Sequence, residues 1–369
     1  MKNFSFINPF LRLWMGIYIL FIALPFPLNN IPLINSITDY LYEKPKEFLV
    51  LFFGRKILGW EELTKVSMTG SGDTLFDFAF LILVILGSIT LAGVIFLARY
   101  RKSDFGNFYR WTLLYARYYV GLYLISYGAV KFMNGQFPGP DIGNMEVEYG
   151  EMSPMGLAWR FFGYSNVYKA FMGIAELSAG LLIILPRTKV FGALLSIGVC
   201  LNIVLANFSF DIPVKIFSSQ LLFFSILIAL PYTKSLFELF FLQKTVRIEK
   251  EKPFFQGKRS RIAWLVVNIF FVGLLGFGQL ANHLIRQLTY TPRHNWVGLY
   301  SDFPSENRVP FERLLIDEQS VRWGNESKIT HFFIIQKVNE DGTIVFGKNY
   351  TDTLPNRLKS GKLWMQKCP

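Results

Sequence analysis

The fold is decided by the stretch WTLLYARYYVGLYLISYGAVKFM (residues 111–133) and by three further apolar runs that follow it before residue 232. These runs are VYKAFMGIAELSAGLLIIL (167–185), VFGALLSIGVCLNIVLANF (190–208) and VKIFSSQLLFFSILIAL (214–230). Each run is about as long as a helix must be to cross ~30 Å of hydrocarbon. The stretch 110–234 therefore predicts a bundle of four membrane-spanning helices.

Polar side chains interrupt these runs. Ionisable and amide groups are expensive in lipid, and they usually face a bundle interior or a wet cavity. Any chemistry of the chain is therefore expected inside this bundle. The groups are Arg117, Lys131, Glu176, Asn202, Asn207, Asp211 and Lys215.

The composition indicates a membrane protein. Of 369 residues, 52% are hydrophobic and only 17% are charged, whereas a soluble domain carries about 25% charged residues. The net charge of +12 arises from basic residues beside the apolar runs, a pattern that sets membrane orientation and attracts anionic lipid. Membrane lipid is therefore an expected partner, and nucleic acid is not.

Cysteine and histidine give no sign of a metal site or of a nucleotide cofactor. The two cysteines, Cys200 and Cys368, form no CxxC pair, and the three histidines show no HExxH motif. Dithiol exchange and zinc binding are therefore not predicted.

The whole chain is predicted to be an all-α polytopic membrane protein with a small β-rich domain at its end. About three further transmembrane helices flank the bundle. The predicted parts are a two-helix membrane region with an outside amphipathic segment (1–109), the four-helix bundle (110–234), a basic cytoplasmic loop (235–261), a seventh transmembrane helix (262–283) and a β-rich extracytoplasmic domain (284–369).

Basic residues also predict the orientation. They collect at the start of the first run, after residue 98 and in the loop 235–261, which all lie on the same side if every run crosses the membrane. The N-terminus is therefore expected in the cytoplasm and residues 284–369 in the periplasm of a bacterial inner membrane. In that tail, Asn339-Glu-Asp-Gly342 lies between two short apolar runs and indicates a β-hairpin.

Three residues are predicted to carry the chemistry: Glu176, Lys131 and Tyr127. Glu176 lies about ten residues into its helix, or ~15 Å at helical rise, so its carboxylate must be paired or protonated. Lys131 and Lys215 are candidate partners, and Tyr127 precedes Lys131 by one turn. A polar pocket in the outer half of the bundle is expected, with ligand-binding residues Asn202, Asn207, Asp211, Lys215 and Gln136.

Each of these residues has a simpler explanation. Glu176 could belong to an ion pair that fixes helix register, and Lys131 could extend to the membrane surface. Asn202 and Asn207 could only form hydrogen bonds between neighbouring helices, and Asp211 and Lys215 could form a local ion pair in a capped turn. Arg117 fits a positive flank on the cytoplasmic side.

Two further features concern helix ends and contacts. Asp73, in the turn 70–74, is expected to cap the helix that follows it. The glycines in the first two runs of the bundle permit close helix contact: Gly121, Gly128, Gly173 and Gly180.

The polar motifs of the bundle resemble the DoxX/DoxD-like family of membrane proteins. The motifs are Arg117-Tyr-Tyr, Ser126-Tyr-Gly-Ala-Val-Lys131, Ala175-Glu176-Leu-Ser-Ala-Gly180 with Leu181 and Leu182, and Arg187-Thr188. The family is a four-helix bundle with a Gly-x-x-Lys end to its first helix and a Glu followed by small residues in its second. Lys131 and Glu176 match those positions, and the resemblance covers about residues 110–232.

The longer pattern is similar to a Bacteroidetes-type branch of the family, in which extra helices and a C-terminal outside domain flank the bundle. Its motifs are Gly70-Ser-Gly-Asp-Thr74, Gln136-Phe-Pro, Ser153-Pro-Met-Gly156 and Asn207-Phe-Ser-Phe-Asp-Ile-Pro-Val-Lys215. The family's named member is a subunit of a thiosulfate:quinone oxidoreductase. The resemblance therefore implies a quinone-linked redox role.

Three functions remain open from the sequence. The first is a subunit of a quinone-linked oxidoreductase, with quinone as the cofactor and Glu176 handling protons. The second is a non-enzymatic scaffold or assembly factor that binds a periplasmic protein partner through residues 284–369. The third, a transporter or lipid handler, relies on the same intramembrane charges but lacks an inverted repeat or broken helix.

Overall fold

The computed structural model describes residues 7–31, 34–65, 72–99, 104–132, 136–137, 139–140, 149–246 and 257–273, together with six strands between residues 298 and 363. The chain forms two compact units. The first contains residues 1–136 and 166–283, and the second contains residues 137–165 and 284–369.

The described part of the first unit is helical. Its longer helices are α1 (Pro9–Ala23), α3 (Lys44–Lys56), α4 (Leu75–Arg99), α5 (Gly106–Lys131), α7 (Asn166–Ile184), α8 (Lys189–Ser209), α9 (Lys215–Ala229), α10 (Thr233–Phe240) and α11 (Lys258–Val272). The short helix α2 (Asn35–Thr38) and a π-helical turn (Asp39–Glu43) lead directly into α3.

Four helical stretches among the described residues are long and apolar enough to cross a membrane. They are α4, α7, α8 and the continuous stretch Lys215–Phe240 that contains α9 and α10. The expectation of an integral membrane protein with several spanning helices is therefore confirmed. Helix α1, with 15 residues, is a shorter apolar helix, and the later part of the predicted seventh span lies outside the described residues.

Helices α5, α7, α8 and α9 pack against one another and form the bundle. Glycines bring the backbones of α5 and α7 together. A Cβ atom at Gly128 would lie 2.7 Å from the carbonyl oxygen of Gly173, and one at Gly180 would lie 2.5 Å from that of Gly121. The predicted close contact of these two helices is therefore confirmed.

Helices α1 and α4 flank the bundle. The indole nitrogen of Trp14 in α1 donates a hydrogen bond to Ser88 in α4 at 3.2 Å. The hydroxyl of Tyr18, also in α1, donates to the side-chain oxygen of Gln220 in α9 at 2.7 Å. Both bonds join apolar helices through buried or partly buried polar groups, so they fix the rotation of α1 about its axis.

The loop before α4 does not cap that helix with Asp73, and the sequence prediction for Asp73 is wrong. Thr74 and Asp77 form the capping pair of α4: the backbone N–H of Asp77 donates to Thr74 Oγ1 at 3.3 Å, and that of Thr74 to Asp77 Oδ2 at 3.0 Å. Asp73 instead accepts hydrogen bonds from the first backbone amides of α9. Asp73 bonds to α9 and not to α4 because Thr74 already accepts a hydrogen bond from the first turn of α4.

The described residues of the second unit form a 3-10 turn (Tyr149–Glu151), one α-helix and six strands. Helix α6 (Pro154–Tyr164) begins at Ser153, whose hydroxyl accepts a hydrogen bond from the backbone N–H of Gly156 at 3.0 Å. Trp159 of this helix contacts Phe137, with ring centroids 5.1 Å apart. The strands are β1 (Gly298–Tyr300), β2 (Arg313–Ile316), β3 (Ser320–Asn325), β4 (Lys328–Val338), β5 (Ile344–Lys348) and β6 (Ser360–Leu363).

These strands pair in sequence order, each antiparallel to the next. The register between β3 and β4 shifts at Trp323/Gly324, and that between β4 and β5 shifts between Ile335 and Lys337. The predicted hairpin turn 339–342 lies outside the described residues, between β4 and β5.

Candidate functional site

The centre of the bundle holds a buried ion pair between Lys131 and Glu176. Lys131 Nζ lies 2.7 Å from Glu176 Oε2, and the two side chains are only 6% and 4% exposed. Lys131 is the last residue of α5, and Glu176 lies in the middle of α7. Of the two partners considered for Glu176, the structure therefore selects Lys131.

The glycine contacts of α5 and α7 position this pair. Gly128 is one turn before Lys131, and Gly173 is one turn before Glu176. These glycines allow the backbones of the two helices to touch. The side chains one turn later, Lys131 and Glu176, therefore also lie close together. A larger residue at either glycine would separate the helices and lengthen the ion pair.

Gln136 and Tyr127 also lie near Lys131. The side-chain oxygen of Gln136 accepts a hydrogen bond from Lys131 Nζ at 3.4 Å. The ring centroid of Tyr127 lies 6.0 Å from the same nitrogen. Three residues predicted to be catalytic and one predicted to bind a ligand are thus brought together: Glu176, Lys131, Tyr127 and Gln136.

Helices α8 and α9 add two groups to this cluster that sequence reasoning did not select. Cys200 in α8 and Ser225 in α9 are both buried, and the thiol lies within electrostatic range of Glu176. Tyr127 is also within electrostatic range of both Glu176 and Cys200. Each of the four bundle helices therefore contributes a polar side chain to one region of the core.

The remaining predicted ligand-binding residues do not join this cluster. The side-chain amide of Asn207 donates to Ser218 at 2.9 Å and to the carbonyl oxygen of Val214 at 3.5 Å, which ties the end of α8 to the start of α9. Asp211 and Lys215 form an ion pair across the turn between those helices. Asn202 is exposed. Among the described residues, none of these four predicted residues bonds to Lys131 or Glu176.

These contacts support the simpler explanations that the sequence left open for these residues. Asn207 forms a hydrogen bond between neighbouring helices, and Asp211 forms a local ion pair with Lys215.

Arg117 is not a charge at the membrane surface. Its side chain is buried, and its Nε and Nη2 atoms donate to the carbonyl oxygens of Ile183 and Ile184 at 3.0 and 2.7 Å. These carbonyls end α7, where helical partners are missing and cations are favoured. Thr188 donates to the carbonyl of Leu182 at 2.9 Å and satisfies a further acceptor.

A second feature missed at the sequence level is a tyrosine series along α5. Tyr115, Tyr119, Tyr123 and Tyr127 are four residues apart, and Lys131 continues the spacing. Such spacing places side chains along one helix face. The rings of Tyr119, Tyr123 and Tyr127 contact one another or Phe217 of α9, with centroids 4.9 Å apart for Tyr119–Tyr123 and for Tyr123–Phe217. The ring of Tyr115 instead contacts Phe26.

No group of three or more His, Cys, Asp and Glu side chains gathers to hold a metal ion within the described part of the chain. The cluster instead offers one carboxylate, one ammonium, one phenol and one thiol. Groups of this kind exchange protons or donate hydrogen bonds to a carbonyl oxygen.

Comparison with known proteins gives one relative. Residues of this chain match the Bacillus subtilis protein named uncharacterized protein YwoB with 37% identity over 106 residues. The match covers 29% of this chain and 67% of YwoB. No protein-family model matches the chain. No solved structure gives a significant match. At this identity and coverage, the chain belongs to the same protein family as YwoB.

Proposed function

We propose that this chain is a DoxX-like protein of the bacterial inner membrane and a membrane subunit of a quinone-linked oxidoreductase. The four apolar helices support the membrane assignment. The family motifs that include Lys131 and Glu176 support the DoxX-like assignment. In this proposal the N-terminus lies in the cytoplasm, and residues 284–369 form a β-rich domain in the periplasm.

The buried Lys131–Glu176 pair is the observation that carries the proposal. Ionisable groups within membrane helices are rare, and their usual roles are proton transfer or ligand binding. An apolar pair of similar volume would often give equal or greater stability. A pair that stability does not require is therefore best explained by a reaction that uses its charges.

Quinone reduction suits such a pair because a quinone takes up protons as well as electrons. Glu176 supplies or accepts the proton, while Lys131 or Tyr127 donates a hydrogen bond to a quinone oxygen. Electrons come from a small reductant or from a partner protein outside the membrane.

Quinone content tests this proposal directly. Protein purified in mild detergent is extracted with organic solvent, and quinone is measured by chromatography. We expect quinone with the wild-type protein and with a Glu238→Gln control, which changes a partly exposed ion pair in α10. We expect little with Glu176→Gln or with Tyr127→Phe, which preserves the aromatic ring. Wild-type protein without quinone would overturn the oxidoreductase proposal.

A second candidate function is a non-enzymatic scaffold or assembly factor, and the closed geometry of the ion pair favours it. Lys131 Nζ and Glu176 Oε2 contact each other directly at 2.7 Å with side chains 6% and 4% exposed, so each charge already has a partner without a ligand. A closed pair fixes the register of α5 against α7. The scaffold would bind its periplasmic partner along the sheet, because β1 and β6 each pair on one side only among the described strands.

The scaffold candidate is tested by crosslinking in intact membranes. A partner that crosslinks to residues 298–363 and remains bound to the Glu176→Gln variant supports the scaffold. A chain without any stoichiometric partner in membranes overturns it.

A further inference from the structure

Asn202 carries a side-chain amide on the exposed surface of a helix that is long and apolar enough to cross a membrane. It lies seven residues before Ser209, the last residue of α8, so the amide is about 10 Å from that end at helical rise. Long cationic side chains can reach the membrane surface from such a depth, but an Asn side chain is too short. In a bilayer the amide therefore faces hydrocarbon.

No hydrogen bond joins the Asn202 amide to another group among the described residues. Thr90 provides the contrast. It is likewise exposed on the apolar helix α4, but its hydroxyl donates to the carbonyl oxygen of Leu86 in the same helix at 2.8 Å. An amide without a hydrogen-bond partner in hydrocarbon costs free energy because no water can replace the partner. Asn202 therefore requires a polar group from another chain at its own depth.

Asn202 belongs to an exposed stripe along α8. Steps of four and three residues in alternation follow one face of a helix that pairs with another helix. From Phe191 onwards, these steps select residues that are exposed, apart from one that is half-buried, Leu195. The α8 stripe consists of Phe191, Leu195, Gly198, Asn202, Leu205 and Ser209. At Gly198, one turn before Asn202, a Cβ atom would meet nothing within 4 Å, so another helix can approach closely beside the amide.

A second copy of this chain fits the α8 stripe better than an unrelated helix does. Copies in one membrane share their orientation, so a twofold axis along the membrane normal brings each residue of the stripe beside itself. An Asn side chain both donates and accepts hydrogen bonds, so two Asn202 amides at equal depth satisfy each other. The α8 stripe contains no ionisable residue, so no like charges meet across the axis. A different protein would need a polar side chain at the same depth.

We propose that the α8 stripe binds a second copy of this chain, with the two Asn202 side chains hydrogen-bonded to each other inside the membrane. One Asn in such a contact also fixes the register of the two helices. The inference goes beyond the proposed function, because the dimer contact needs neither quinone nor the Lys131–Glu176 pair.

Energy transfer between labelled copies tests the dimer. Full-length protein with a donor or an acceptor dye on a C-terminal tag is placed in vesicles of phosphatidylethanolamine and phosphatidylglycerol, and lipid is then added stepwise. We expect Asn202→Leu to weaken dimerisation about tenfold, since hydrogen bonds between membrane helices are lost. Asn202→Gln keeps an amide and should retain most of the affinity. Thr90→Leu is the matched control and should leave dimerisation unchanged, because its hydroxyl is bonded within α4.

Disulfide crosslinking in native membranes locates the contact. Leu205→Cys places a thiol on the α8 stripe, and Leu97→Cys places one on the exposed surface of α4. Both are made in a Cys368→Ser background, where Cys200 is only 1% exposed. With copper phenanthroline as the oxidant, we expect Leu205→Cys to form a disulfide-linked dimer and Leu97→Cys to remain largely uncrosslinked.

Three results would overturn the proposal. One is wild-type protein without energy transfer at any ratio of lipid to protein. Another is equal dimerisation in Asn202→Leu and Thr90→Leu, which would place the contact on another face. The third is a Leu205→Cys product that contains a different protein instead of a second copy. Because Asn202 is exposed, Asn202→Leu should unfold at the same detergent concentration as the wild type, and this measurement separates a lost contact from a lost fold.

Discussion

The carboxylate of Asp73 accepts a hydrogen bond from the backbone N–H of Lys215 at 2.7 Å, across 142 residues of sequence. Its other oxygen accepts from the N–H of Ile216 at 2.9 Å. The backbone N–H of Gly72 also donates to the carbonyl of Pro213 at 2.8 Å. A loop before α4 thus supplies the N-terminal cap of α9 and joins a flanking helix to the bundle. Two sequence motifs far apart in the chain meet at this contact.

We expect Asp73→Ala to lower the free energy of unfolding by about 1 kcal/mol, the usual value of a lost helix cap. Amide hydrogen exchange should accelerate at Lys215 and Ile216, because those N–H groups lose their acceptor. Asp77→Ala is the matched control: it removes the capping partner of Thr74 and should accelerate exchange at the start of α4 only. Unchanged exchange at Lys215 in Asp73→Ala would contradict this contact.

Arg117→Met should destabilise the bundle by roughly 3 kcal/mol, because two charge-assisted hydrogen bonds at about 1.5 kcal/mol each are lost. Arg117→Lys should recover about half of this loss, since an ammonium lacks the fork that reaches both carbonyls. Unfolding by detergent titration, monitored by circular dichroism, measures the difference.

Arg187→Met is the control for this series. Arg187 is exposed in the turn after α7, and surface substitutions usually change stability by less than about 0.5 kcal/mol. If Arg117→Met and Arg187→Met were equally stable, Arg117 would not stabilise the end of α7.

The sequence predicted the apolar helices and the central ion pair for clear physical reasons. Length and hydropathy identify membrane helices directly, because the bilayer sets both. A carboxylate as deep as Glu176 must find a partner, and few cations lie at its depth. Helix length and hydropathy depend on one helix alone, and the need for a cation depends on the carboxylate alone. Both can therefore be read from the sequence.

The partners of Asp73 and Arg117 could not be predicted in the same way. The first backbone N–H groups of α4 are equally suitable hydrogen-bond donors for Asp73. Only the folded structure shows that Thr74 accepts the hydrogen bond from that helix instead. Arg117 lies near the start of an apolar run and so follows the pattern of a surface charge, yet the end of α7 lies beside it and offers free carbonyls. Such contacts depend on how helices are placed in space, which residue spacing does not determine.

Glycine contacts between α5 and α7 give a prediction with an internal control. Alanine at Gly180 would meet the carbonyl of Gly121 at 2.5 Å, and a backbone atom cannot move away. Overpacking typically costs about 1–3 kcal/mol, which exceeds the gain of about 1 kcal/mol from better helix propensity. We therefore expect Gly180→Ala to destabilise the protein and to lengthen the Lys131–Glu176 distance.

Gly198→Ala provides the comparison, because nothing lies within 4 Å of a Cβ atom there. It should leave stability unchanged or increase it by up to about 1 kcal/mol. Detergent titration compares the two variants, and a Gly180→Ala protein as stable as Gly198→Ala would contradict backbone contact at this crossing.

The Lys131–Glu176 pair can be tested by a double-mutant cycle. Lys131→Met and Glu176→Leu should each destabilise the protein by about 3–5 kcal/mol, because each leaves one buried charge without its partner. The double variant should recover most of this loss, since it replaces the pair by apolar side chains that pack in the same place. The exposed pair Lys65–Glu47, with side chains 37% and 38% exposed, should show an interaction of only about 0.5 kcal/mol.

The double variant also separates the two candidate functions. If the pair serves a quinone reaction, the double variant folds but contains no quinone, so stability and quinone content change independently. If the pair serves only to fix helix register, an apolar replacement fixes it equally well, and a periplasmic partner remains bound. A double variant as unstable as either single variant would contradict the ion pair itself, because neither partner would then depend on the other.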